Sequence, residues 1–125
     1  CERGVRGFDP STRYLLDLAA VPALKQRTGL PVIVDPSHGT GDARLVPAMA
    51  RAAAAAGADG LLIEVHAAPE LALSDGKQAL LPTEFAQLAA DLRRLVALVG
   101  KRWTRAAGSA DTLPSATRPN EVIAP

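Results

Sequence analysis

Two short apolar runs in this chain end in side chains that can hold a cation or move a proton. Pro31-Val32-Ile33-Val34 leads into Asp35-Pro36-Ser37-His38-Gly39-Thr40-Gly41, and Leu61-Leu62-Ile63 leads into Glu64-Val65-His66. The loop after the second run carries Ser74-Asp75-Gly76. Read as buried parallel strands, the runs deliver His38, Glu64 and Asp75 to one rim, where α/β folds keep their active sites. One imidazole and two carboxylates are hard-to-borderline donors that suit a divalent cation.

Each residue also has a plainer reading. A lone histidine at a strand end is more often hydrogen-bonded structure than a ligand. Asp35 either supports the site from behind or fixes the turn by accepting backbone N–H groups. Glu64 follows three aliphatic residues in a strand expected to be buried on both faces, so its carboxylate needs a metal or a salt bridge to an arginine. Ser-Asp-Gly around Asp75 is first of all a turn sequence. His66 lies two residues after Glu64 and shares its face if the strand persists. Cys1 reads as a small buried apolar residue. Arg3 could grip a phosphate or carboxylate in a bidentate manner, or form an ordinary ion pair.

The elements that must position these groups alternate. A helix is expected from Tyr14 to about Gln26, with Leu15, Leu18, Val21 and Leu24 at spacing three and Pro22 as an interruption. After the Asp35–Gly41 turn, Asp42 can cap a second helix running to about Ala56, with Gly57 as its stop. Asp59-Gly60 then turns into the Leu61–Val65 strand. A last helix spans about Pro82 to Val99, its apolar residues Phe85, Leu88, Leu92, Leu95, Val96 and Val99 following a 3-4 spacing. Strand, helix, strand, helix with short loops means a parallel sheet. The pattern alone does not choose between a barrel and an open sheet. Beyond Lys101, prolines and small polar residues without period read as a disordered tail over 101–125.

With 14 basic and 13 acidic side chains the net charge is +1, which gives no electrostatic reason to expect nucleic acid or an acidic membrane. Aromatics at 3% leave no platform for stacking bases. A single cysteine excludes an internal disulfide and fits a reducing compartment, and no apolar run approaches the ~20 residues of a membrane span. A cytoplasmic protein is expected.

Four stretches, Cys1-Glu2-Arg3-Gly4, the 31–41 run, Ala56-Gly57-Ala58-Asp59-Gly60-Leu61-Leu62-Ile63-Glu64-Val65-His66, and Ala72-Leu73-Ser74-Asp75-Gly76-Lys77-Gln78-Ala79-Leu80, occur in an order and spacing that resembles the C-terminal part of 3-deoxy-7-phosphoheptulonate (DAHP) synthases of the type I beta subgroup. The resemblance runs from Cys1 to about Val99. It departs at Tyr14, where these enzymes usually carry asparagine.

The resemblance implies that residues 1–100 are the C-terminal portion of a (β/α)8 TIM barrel. A whole barrel needs ~250 residues, so a fragment is expected, poorly folded and inactive alone. It implies that His38, Glu64 and Asp75 are catalytic metal ligands for a divalent ion (Mn2+, Fe2+, Co2+ or Zn2+), and that Arg3 binds phosphoenolpyruvate. Asp35 and His66 are placed beside them as substrate-site residues. The implied reaction is condensation of phosphoenolpyruvate with erythrose 4-phosphate to DAHP and phosphate, the first step of the shikimate pathway, by a homo-oligomeric enzyme. The sister enzyme using arabinose 5-phosphate, 3-deoxy-octulosonate 8-phosphate synthase, resembles the chain around Arg3, Glu64 and Asp75. Gly39-Thr40-Gly41 and Gln78 look like the DAHP enzymes instead. A non-catalytic fragment, or a small open-sheet binder of metal or phosphate, are the readings from other classes.

Overall fold

The computed structural model describes residues 1–104. The expected disordered tail lies, from residue 105 on, outside the described residues.

Two parallel strands form the centre, β1 (Ile33–Val34) and β2 (Gly60–Leu61), in register Ile33 to Gly60 and Val34 to Leu61. Parallel pairing continues on both sides through single bridges. Glu2 bridges Val34, and Val65 bridges Leu80. Four consecutive segments thus run side by side in one direction, as the βαβ rhythm requires.

Helices cover one face. Val32 and Val34 point into a cluster with Val21 of α1 (Ala20–Thr28) and with Ala53 and Ala58. Ala53 belongs to α3 (Val46–Ala55), whose small side chains let it lie close to the sheet. A second cluster joins Val46, Ala50 and Ala54 of α3 to Leu80 and to Leu88 and Leu92 of α4 (Pro82–Leu98). Full burial of each valine or leucine contributes about 1.5–3 kcal/mol. The opposite face is open among the described residues: Leu62 is 44% exposed, and Val5, Leu15 and Val65 are exposed too. The second strand is therefore not buried on both faces as expected, because these residues supply no cover on that side.

Four expectations need correction. The helix expected from Tyr14 begins only at Ala20. The N–H of Tyr14 donates to Gly39 O at 3.1 Å and that of Leu15 to Val5 O at 2.9 Å, so this segment is extended, and long-range pairing wins over its helical spacing. The run after Asp35, expected as a turn, winds into a short helix α2 (Pro36–Thr40). Asp35 accepts the His38 N–H at 2.9 Å as its cap, Pro36 opens it, and Gly41 at φ 67 ends it. Asp42 does not cap α3. Its carboxylate accepts the Arg44 N–H at 2.9 Å and pairs with the Arg44 guanidinium, and the helix starts four residues later. Cys1 is exposed rather than buried.

Candidate active site

All the candidate residues except His66 gather where β1 and β2 end. Asp35 is fully buried at the last position before α2. An isolated carboxylate there would be costly, yet three groups converge on it. Its Oδ1 accepts the His38 N–H, its Oδ2 accepts Arg3 Nε at 3.0 Å, and His38 Nδ1 stands 2.8 Å from the same Oδ2. The Nδ1 approach lies off the hydrogen-bond axis, so it is an electrostatic contact at a buried ring nitrogen. A proton on Nδ1 faces Asp35 and leaves the Nε2 lone pair pointing the other way.

Nε2 looks towards two more carboxylates, Glu64 Oε1 at 3.6 Å and Asp75 Oδ1 at 4.0 Å. Glu64 is fixed through its backbone, whose N–H donates to Ser37 Oγ at 3.0 Å. Asp75 sits at φ 58, ψ 13, the only described non-glycine residue with positive φ. Such a conformation costs energy and recurs at functional sites. A lone pair facing two anionic oxygens is favourable only with a positive charge between them, either a proton or a cation. The donor set, one imidazole nitrogen and two carboxylate oxygens, fits a divalent ion. Among the described residues, however, no three such side chains already stand close enough to hold one.

Arg3 is 52% exposed, and its two terminal nitrogens make no hydrogen bond among the described residues. Gly4 allows this placement: at φ +91 a Cβ there would lie 2.6 Å from Tyr14 Cβ and 3.2 Å from Gly39 Cα. His66 is turned elsewhere. Its N–H donates to Leu80 O at 3.0 Å, and its Nδ1 accepts the Ala68 N–H at 3.0 Å.

Sequence reasoning did not single out Ser37 or Gln78 for this site. Arg13 Nη1 donates to Gln78 Oε1 at 2.8 Å, and Gln78 Nε2 donates to Asp75 Oδ1 at 3.1 Å. Ser37 lay in plain view within the Asp35–Gly41 motif. The Arg13–Gln78 pair spans 65 positions, and no local signal marks it.

Residues 1–99 match the pattern of the DAHP synthetase I family. A phospho-2-dehydro-3-deoxyheptonate aldolase of Thermotoga maritima is 47% identical over 100 residues, which is 80% of this chain and 30% of that protein. A 2-dehydro-3-deoxyphosphooctonate aldolase of Desulfosudis oleivorans is 46% identical over 77 residues, 53% of this chain and 28% of that one. The crystal structure of the Thermotoga DAHP synthase superposes with a TM-score of 0.80 at 46% identity, over 82% of this chain and 30% of that one. The chain thus spans about a third of the length of the relatives it matches, and its strands and helices are part of a barrel.

Proposed function

This chain belongs to the DAHP synthetase I family, and on that premise we propose that it supplies the C-terminal share of a DAHP synthase active site. The proposed reaction condenses phosphoenolpyruvate with erythrose 4-phosphate and releases phosphate. The observation that carries this reading is the convergence of Glu64 and Asp75 on His38 Nε2, with Asp35 behind the ring and Arg3 on the same carboxylate.

In this reading His38, Glu64 and Asp75 hold a divalent ion, Mn2+, Fe2+, Co2+ or Zn2+. When bound, the ion supplies Lewis-acid polarisation of an aldehyde oxygen. The chain's own residues do the positioning. Arg3 keeps Nε on Asp35 and offers its terminal nitrogens to the carboxylate or phosphate of phosphoenolpyruvate. Asp35 sets the orientation of the His38 ring and the reach of Arg3 together, so donor and anion keep one separation. Residues 1–100 form the barrel portion, in a cytoplasmic homo-oligomer whose other strands complete the site; the isolated 125-residue stretch is inactive.

The test uses the protein that carries this chain, chelated and then reloaded with Mn2+. The expected result is phosphate release from phosphoenolpyruvate with erythrose 4-phosphate, lost on chelation and restored by the metal. Turnover with arabinose 5-phosphate alone would assign the activity named for the Desulfosudis relative. Turnover with neither sugar would leave a binding role.

A further inference from the structure

We propose that Gln78 is a positioning residue that presents Asp75 to the cation and couples it to the segment carrying His38. The proposal rests on the reading of His38, Glu64 and Asp75 as cation donors.

Gln78 is 2% exposed, at the end of the one-turn 3₁₀ helix Gly76–Gln78. Both ends of its amide are engaged, and their assignment is forced by chemistry. Arginine can only donate and an ionised aspartate can only accept, so Oε1 must face Arg13 and Nε2 must face Asp75. A flipped amide would set donor against donor and acceptor against acceptor.

The links on either side give this bond its consequence. Arg13 is anchored by its backbone, whose N–H donates to Thr40 O at 3.3 Å, and its guanidinium lies 5.3 Å from the centre of the Tyr14 ring. Thr40 closes α2, the helix that carries His38. On the other side, Ala43 N–H donates to Lys77 O at 2.9 Å, which holds the loop of Asp75 against the segment after α2. Gln78 completes this frame at the side-chain level. The oxygen it grips, Asp75 Oδ1, is the one that faces His38 Nε2. Asp75 Oδ2 takes no hydrogen bond among the described residues. The Gln78 amide therefore fixes the carboxylate of a residue whose backbone is itself in a strained conformation.

The residue type matters. Glutamate would lose the N–H donor and set a second carboxylate against Asp75; methionine keeps the volume and removes both hydrogen bonds.

The experiment titrates Co2+ into the metal-free full-length protein and reads the dissociation constant and the visible d–d band. Gln78→Met is expected to weaken Co2+ binding by about 10–100-fold and to change the band. The same substitution in an Asp75→Asn background is expected to add almost nothing, because Gln78 acts through Asp75. If Gln78→Met does not melt cooperatively, Gln78→Glu, which keeps the Arg13 bond, carries the same expectation of a changed band. Wild-type affinity and band in the Gln78 variants overturn the proposal, as does an equal loss in the Asp75→Asn background. A wild-type protein that takes up no Co2+ overturns the cation reading beneath it.

Discussion

Ser37 Oγ accepts the backbone N–H of Glu64 at 3.0 Å, joining the ends of adjacent strands across 27 positions. The bond sits where the ladder has run out. Leu62 N–H still donates to Val34 O at 2.9 Å, but Pro36, the next residue of that edge, has no N–H to continue the ladder. A buried hydroxyl thus takes over from the backbone and sets where the Glu64 carboxylate leaves the sheet. Ser37→Ala leaves that donor without its acceptor, which costs about 1–3 kcal/mol. A lower melting temperature together with weaker Mn2+ binding is expected. An unchanged melt and an unchanged Mn2+ titration would show that water replaces the hydroxyl and that the bond sets nothing.

Asp35→Asn tests the carboxylate beneath the site. Its Oδ1 can still accept the His38 N–H, but the new NH2 then faces Arg3 Nε and His38 Nδ1, two donors. Arg3 loses its partner and the imidazole loses the charge that orients it. The expected result is a fall in kcat/KM of at least ~10-fold, with the KM for phosphoenolpyruvate moving more than that for the sugar phosphate. Steady-state rates with each substrate varied in turn check this. Equal shifts in both constants would mean that Asp35 supports the fold and nothing more specific.

Much of this arrangement could be read from the chain. Helix α4 starts at Pro82 and ends at Leu98, within a residue of its 3-4 apolar pattern, because an amphipathic helix on a sheet is a local matter. The parallel order of the strands followed from their alternation with helices. The stretch from Tyr14 misled because the backbone N–H groups of Tyr14, Leu15 and Asp17 go to Gly39, Val5 and the Glu2 carboxylate, which no window of neighbouring residues reveals. Helix α2 was legible in principle. An Asp-Pro pair whose aspartate faces the N–H three residues on is a helix start, although the glycines suggested a turn. The convergence of His38, Glu64 and Asp75 was foreseen from strand ends, with the named family adding the assignment. The Arg13–Gln78–Asp75 chain was not foreseen, since two residues 65 apart meet only through the completed fold.

At the opposite ends of the strands, Asp59 gathers two ammonium groups. Lys25 and Lys101 both pair with its Oδ1, and its Oδ2 accepts the Val32 N–H at 2.9 Å. Burial pushes this carboxyl up, but the hydrogen bonds from Lys101, Lys25 and Val32 outweigh it and hold it below the usual 3.8. A depressed carboxyl stabilises the fold above its unfolded value, and that stability is lost as pH falls through the folded value. Lys101 is lowered as well, but here burial is the dominant cause. Burial holds its ammonium below 10.5 despite Asp59, so its own contribution grows as pH rises towards that value. Asp59→Asn is expected to cost about 1–3 kcal/mol at pH 7. Urea midpoints of both proteins at pH 7 and pH 3 check it: the gap should narrow at pH 3. A gap of the same size at both values would rule out the charge of Asp59 as its source.

Arg3→Lys separates the two duties assigned to Arg3. The guanidinium holds Asp35 with Nε and keeps two terminal nitrogens for an incoming anion, whereas a lysine has one ammonium for both tasks. Because lysine keeps a positive charge beside the buried Asp35 and the Arg3 side chain is itself half exposed, stability should change by less than about 1 kcal/mol. Losing a two-point grip on a carboxylate or phosphate removes a charged hydrogen bond of about 1.5–3 kcal/mol. That corresponds to a rise of roughly 10–100-fold in the KM for phosphoenolpyruvate. Thermal melts and substrate titrations on the same preparation distinguish the duties. A raised KM with an unchanged melt makes Arg3 the anion clamp. A lowered melt with an unchanged KM makes it only the counter-ion of Asp35, and the anion must then be held by residues elsewhere in the barrel.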